Sequence, residues 1–288
     1  MPSKQLKWSI LLALALIWGS SFILIKKGLV GLSPYQLGSL RIIFTAIFLL
    51  LIGFKSLTEI KQYQWKYIAI TALFGTFLPA FLFAIAETKV SSSICSILNS
   101  LTPLNTLLIG IIAFGMAFKR SQFIGVIIGL MGTALLIFSG KDQGSSENYT
   151  YAVLVIIASI CYALNVNLIK KYLSDVKPLS ITTGNFTVML APALIVLFST
   201  NFLDIVALPA TQHSMFFIMI LGIVGTGIAN VLFFKLIQIS SPVFASSVTY
   251  LIPIVAFFWG LLDHEMLTPL QFVGAFIILI GVYLANKK

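Results

Sequence analysis

The chain has 288 residues, of which 59% are hydrophobic and only 9% charged, with a net charge of +10 and a mean hydropathy of +1.06. A soluble domain carries about 25% charged residues, so this composition excludes a soluble fold and makes lipid the solvent for most of the chain. The basic excess does not point to nucleic acid, because its residues stand in short clusters between apolar runs, the pattern that orients membrane proteins.

A membrane span needs about 20 mostly apolar residues. Ten stretches qualify in chain order: roughly 8–29, 34–53, 66–86, 91–117, 121–139, 151–170, 179–200, 214–236, 241–262 and 268–286. The first, Trp8 to Leu29, follows Lys4 and Lys7 and lacks a small-residue cleavage site, so a retained helix is expected rather than a signal peptide. Pro34 and Pro178 open the second and seventh spans, where a missing N–H costs nothing. Residues 141–150 (KDQGSSENYT) and 201–213 read as the longer polar connections. Cys95 and Cys161 fall inside apolar runs, so no disulfide is expected.

The chain is built twice. Gly75 to Pro103 recurs at Gly225 to Pro253 with a constant offset of 150. Eight of the 29 aligned positions are identical (Gly75, Thr76, Leu82, Phe83, Ser91, Ser96, Leu101 and Pro103 with their partners), against about two to three by chance in apolar sequence. At offset 144, Leu24, Ile25, Lys26, Lys27, Leu29 and Pro34 match Leu168, Ile169, Lys170, Lys171, Leu173 and Pro178; at 149, Gly125 and Gly132 match Gly274 and Gly281. The expected fold is therefore an all-α integral membrane protein with ten transmembrane helices in two five-helix repeats. The first covers 1–140 and the second 151–288, joined by an external linker at 141–150.

Five helices per repeat is an odd number, so the repeats must enter the bilayer from opposite sides and be inverted. With the N-terminus inside, inner segments carry thirteen basic residues: Lys4, Lys7, Lys55, Lys61, Lys66, Lys119, Arg120, Lys170, Lys171, Lys177, Lys235, Lys287 and Lys288. Outer segments carry four, Lys26, Lys27, Lys89 and Lys141. That excess predicts both termini in the cytoplasm and a multi-pass protein of the cell inner membrane.

The polar residues inside the spans mark the candidate site. Ser92, Ser96, Asn99 and Pro103 share one helical stripe, and Pro242, Ser246, Thr249 and Pro253 form the equivalent stripe in the second repeat. Such faces avoid lipid, so they either glue helices together or line a cavity. Pro103 and Pro253 each remove a backbone donor and predict a kink or break. Trp18 and Ser21 correspond to Tyr162 and Asn165, each an aromatic one turn from a polar group. Thr76 and Thr226 share helix faces with Ala80 and Asn230.

The predicted substrate-binding set is Trp18, Ser21, Thr76, Ser96, Asn99, Tyr162, Asn165, Thr226, Asn230, Ser246 and Thr249. Spans one, three, four, six, eight and nine are expected to surround it. Arg41 lies about 10 Å below Pro34 at 1.5 Å per residue, close enough to reach outward, so it reads as a gating or structural residue with Pro103 and Pro253. Glu87, Asp263 and Glu265 read as rim charges, and Phe48 as a lipid-facing residue.

No catalytic residues and no cofactor are predicted. His213 and His264 stand in outer connections without metal-ligand spacing, and no phosphate-binding glycine loop is present.

WGSSFILIKKGL (Trp18 to Leu29), the Pro34–Arg41 segment and the duplicated small-polar run with its downstream proline together resemble an EamA-type permease of the drug/metabolite transporter superfamily. The likeness extends over essentially the whole length. One departure is Gly115–Met116, where such halves commonly carry Gly-Glu; the second half has Glu265 near that place. The resemblance implies an exporter of amino acids or related small metabolites. Inverted repeats supply the mechanism, alternating access around a midplane cavity. The expected partners are the lipid bilayer and a small neutral or zwitterionic solute, with the coupling ion open and the protein a monomer or weak homodimer. The rival is a non-transporting polytopic membrane protein, an enzyme or a receptor for a lipid-soluble ligand.

Overall fold

A computed structural model describes residues 4–90, 92–117, 119–138, 149–262 and 269–285. Asp263, His264 and Glu265, and most of the 141–150 linker, lie outside the described residues. Every regular element among those described is helical. Six stretches are long and apolar enough to cross a membrane: Lys4–Gly28, Pro34–Glu59, Gln62–Ala86, Ala152–Tyr172, Pro178–Phe198 and Pro209–Ile239. Thr102–Ile112, Arg120–Gly132, Pro242–Val255 and Phe272–Leu284 are shorter apolar helices. The exterior carries large apolar side chains such as Leu51 and Ile112, both 81% exposed, as a lipid-facing surface requires.

The chain runs α1 (Lys4–Gly19), α2 (Ser21–Gly28), α3 (Pro34–Gly53), α4 (Trp65–Ala72), a π-helical turn at Leu73–Phe77, α5 (Leu78–Ala86), α6 (Ser92–Asn99), α7 (Thr102–Ile112) and α8 (Arg120–Phe138). It continues through α9 (Ala152–Tyr172), α10 (Pro178–Phe198), α11 (Phe202–Ile205), α12 (Pro209–Ile220), a second π-helical segment at Leu221–Ile228, α13 (Ala229–Ile239), α14 (Pro242–Ser246), α15 (Val248–Leu262) and α16 (Pro269–Ala285). Ser33 opens α3 with a capping box: its hydroxyl accepts from the Gln36 amide, and its own N–H donates to the Gln36 side chain.

Segment 201–213 is helical for much of its length rather than a polar connection. Pro209 sits in the first turn of α12, where its missing donor is harmless. Thr211 and Ser214 then donate to the Gly31 and Lys27 carbonyls. His213 thereby lies on a helix, edge-on to Phe217 at 4.8 Å.

The two prolines behave differently. The fourth span breaks at Ser100–Leu101, and Pro103 enters the first turn of α7. In the ninth the interruption falls at Ser247, and α15 continues through Pro253. The break in this span thus falls at Ser247, six residues before Pro253. Each freed carbonyl four residues upstream finds a hydroxyl: Thr102 donates to Asn99 O (2.7 Å), and Ser100 donates to Thr249 O (3.3 Å). Those bonds let the chain keep prolines in an apolar medium.

α8 and α16 pack against each other. A Cβ added at Gly132 would stand 2.7 Å from the Ile278 nitrogen, and one at Gly281 would overlap the Gly129 backbone, so only glycine permits this approach. Phe48 is half-buried rather than lipid-facing; a Cβ on Gly227 would meet its ring at 3.1 Å.

Polar groups gather at two rims. At one, Lys177 pairs with Glu59 (2.6 Å), Lys61 approaches Asp175 (4.0 Å), and Gln64 donates to both Asp175 oxygens. At the other, Gly31 N donates to Ser214, and Gln36 reaches Thr200 and Asn201. Such exposed ion pairs add little stability.

Candidate functional site

A central cavity of ≈ 940 Å³, counting the part continuous with the exterior, is enclosed by α1, α2, α3, both π-helical segments and the helices that follow them. Ten of the eleven predicted residues line it: Trp18, Ser21, Thr76, Asn99, Tyr162, Asn165, Thr226, Asn230, Ser246 and Thr249. Ser96 is buried but outside the wall, although its repeat partner Ser246 is part of it. Pro103 and Pro253 are not part of the wall. The second and seventh spans, not expected at the cavity, contribute Arg41, Ile42 and Phe186.

The two π-helical segments organise the wall. Each adds a residue to a helical turn and so leaves backbone groups out of the regular ladder. Trp18 Nε1 donates to the Gly225 carbonyl at 2.9 Å. Thr226 donates to Leu221 O, five residues back, at 3.0 Å, and Thr45 donates to Gly222 O at 2.7 Å. Arg41 does not reach outward as its depth suggested: its Nε donates to Thr226 Oγ1 at 2.7 Å, which turns the guanidinium to the cavity.

The equivalent bulge in the first half is dressed differently. A Cβ on Gly75 would collide with the Asn165 amide, as one on Gly225 would press on Ser21 Oγ at 3.0 Å. Both glycines therefore admit a polar side chain from the first helix of the other half. Thr76 Oγ1 and Asn165 Oδ1 are buried without a hydrogen-bond partner among the described residues. At offset 144 the counterpart of Arg41 is Asn185, which is not part of the cavity wall; the amide orientation that satisfies its neighbours has its nitrogen donating to the Ile68 and Ile181 carbonyls. One bulge thus carries a cation; the other carries orphaned polar atoms.

Aromatic rings complete the enclosure. Trp18 meets Phe233 edge-on at 5.0 Å, and Phe83 lies 6.1 Å from Tyr162 at 30°. Phe83 and Phe233 are identical partners in the repeat, a signal that could have placed them in the site. Thr102 also lines the wall, three residues after Asn99. Phe22 and Phe186 carried no such mark. A second cavity of ≈ 330 Å³ is lined by Met116, Asn167 and Pro242, among others. Met116, the departure from the family pattern, thus faces a space of its own. Among the described residues no cluster could hold a metal ion, and Cys95 and Cys161 are buried and not joined.

The sequence pattern of the EamA-like transporter family matches residues 6–138 and again residues 150–287. The chain belongs to this family. As an EamA-like protein it is 28% identical over 284 residues to an Escherichia coli K12 protein called uncharacterized inner membrane transporter YedA, covering 96% of this chain and 89% of that one. It is 24% identical over 287 residues to an uncharacterized transporter of Archaeoglobus fulgidus, covering 98% and 99%. It is also 24% identical over 280 residues to uncharacterized transporter YoaV of Bacillus subtilis, covering 95% and 94%. A solved crystal structure shares the fold over 99% of this chain and 97% of its own, with a TM-score of 0.76 at 15% identity. This EamA-like protein is thus a multi-pass membrane protein of a transporter family, with lipid around it and a small solute as its cargo.

Proposed function

We propose that the chain is a secondary transporter that exports small neutral or zwitterionic metabolites, such as amino acids, by alternating access. Ten transmembrane helices in two inverted five-helix repeats, residues 1–140 and 151–288 about the external 141–150 linker, supply the two exchangeable halves. Both termini are cytoplasmic.

The observation that carries this reading is the cavity, whose polar wall is drawn from corresponding positions of both halves: Trp18 with Tyr162, Ser21 with Asn165, Thr76 with Thr226, Asn99 with Thr249. A symmetric site lets the two halves swap roles around a bound solute. A difference between the halves supports alternation. Lys170 Nζ donates to the Ile237, Gln238 and Ser240 carbonyls at 3.0, 3.0 and 2.7 Å, tying α9 to the end of α13. Its repeat partner Lys26 is exposed and makes no such bond among the described residues. The two repeats thus differ at this equivalent position, a difference that alternation would exchange between them.

The test is counterflow in proteoliposomes with a panel of labelled metabolites. Accelerated uptake of a label against an internal load of the same solute is expected for at least one panel member. Binding without exchange would instead favour a receptor or enzyme.

A further inference from the structure

Arg41 is a cation inside a membrane-embedded cavity, and its surroundings leave most of its hydrogen-bonding capacity open. A guanidinium has five donors. Thr226 takes one, at Nε. The ion pairs among the described residues, Lys61–Asp175 and Lys177–Glu59, both sit at the rim and exclude Arg41. Glu87 and Tyr162 act on it only through space. Its terminal nitrogens form the fork that matches two carboxylate oxygens, and a charge held in lipid is costly unless something of opposite sign completes it.

The opposite bulge offers the complementary chemistry. Thr76 is 6% exposed and Asn165 2%, yet Thr76 Oγ1 and Asn165 Oδ1, on residues that line the same cavity, have no hydrogen-bond partner among the described residues. An amide oxygen can only accept, so it calls for an N–H or O–H donor. Asn185, which could have supplied a donor by pseudo-symmetry, is committed to Ile68 and Ile181. The cavity is therefore polarised between a cation held at one π-helical segment and acceptors at the other.

We infer that Arg41, fixed by Thr226, is an anion subsite that selects a solute bearing a single carboxylate, with Thr76 and Asn165 receiving a donor group of the same solute. A polyphosphate would need several cations, and the lining holds one. This inference rests on the transporter reading of the cavity and deepens it, assigning Arg41 a specificity role in place of gating.

The test uses the purified full-length protein and two matched sets of probes: leucine, 4-methylpentanoate and leucinamide, and the corresponding phenylalanine compounds. Thermal protection and quenching of tryptophan fluorescence report binding, since Trp18 lines the cavity. At least one set should bind in its two carboxylate forms and not as the amide. Arg41→Gln should abolish that preference, and Arg41→Lys should weaken binding by about tenfold or more through loss of the planar fork. Thr226→Val, which keeps the charge but frees it, should weaken the carboxylates and leave amides unaffected.

Amides that bind as well as acids to the wild type would overturn the inference, without need of any variant. So would the absence of binding by every carboxylate, or a preference that survives in Arg41→Gln. Counterflow of the same probes separates the two claims. Exchange without carboxylate preference sinks the subsite and spares the transporter. Arg41-dependent binding without exchange does the reverse.

Discussion

Thr76 and Thr226 occupy the same place in the repeat, and replacing each with valine should move stability in opposite directions. The change is nearly isosteric, so what it tests is the hydroxyl. In Thr226 the hydroxyl donates to Leu221 O at 3.0 Å and accepts from Arg41 Nε at 2.7 Å. Thr226→Val strands a carbonyl and a charged donor. Hydrogen bonds to charged groups are worth about 1.5–3 kcal/mol, so a loss of about 2 kcal/mol is expected, toward the lower end because the cavity admits water. Thr76 is only 6% exposed, and its hydroxyl has no partner among the described residues. Thr76→Val removes an unpaid desolvation of about 1–3 kcal/mol. Cavity water again trims the effect, to a gain of about 1 kcal/mol. For a chain of this size 1 kcal/mol moves the melting temperature by about 2 °C. Unfolding of the purified protein, followed by a thiol-reactive dye or by tryptophan emission, should show Thr226→Val lower and Thr76→Val slightly higher than wild type. Both should slow counterflow, because both hydroxyls line the cavity. Shifts of the same sign, or a Thr226→Val protein as stable as wild type, would refute the reasoning.

Asn99→Ala should weaken solute affinity several-fold, the loss of one neutral hydrogen bond of about 0.5–1.5 kcal/mol, with expression unchanged. Leu51→Ala, at an 81% exposed position, is the control and should transport as wild type; Phe48, being half-buried, is unsuitable for that purpose. Lys170→Met should unlatch α9 from the end of α13, seen as faster hydrogen exchange at 236–240 and a changed transport rate, while Lys26→Met should leave exchange there unaltered. Single cysteines at Val30 and Lys61, both exposed, test sidedness. An impermeant maleimide should label Val30→Cys in intact cells and Lys61→Cys only after permeabilisation; the reverse pattern would invert the topology.

The sequence alone determined the solvent, the six long apolar spans and the internal likeness of the chain's two parts. Apolar runs of fixed length have one use in a bilayer, and an offset of 150 residues with shared glycine, threonine and proline survives because each repeat must build the same unit. It also reached most of the cavity wall: Trp18, Thr76, Asn99, Tyr162, Asn165 and their counterparts were legible because a polar side chain in an apolar run must be hidden from lipid. What it left open was which protected environment each would take. Ser96 and Ser246 are equivalent in sequence, yet only Ser246 meets the cavity. Pro253 is as disruptive a residue as Pro103, but the chain yields at Ser247 and a hydroxyl from Ser100 covers the freed carbonyl. Arg41 could extend toward either rim or core by length alone. Its direction was decided by a hydroxyl 185 positions away, presented by a π-helical turn in the other half. Helical period and hydropathy are local quantities, whereas a hydrogen bond across the bundle depends on how distant segments pack; that is why the long spans could be read from the chain and the orientation of Arg41 could not.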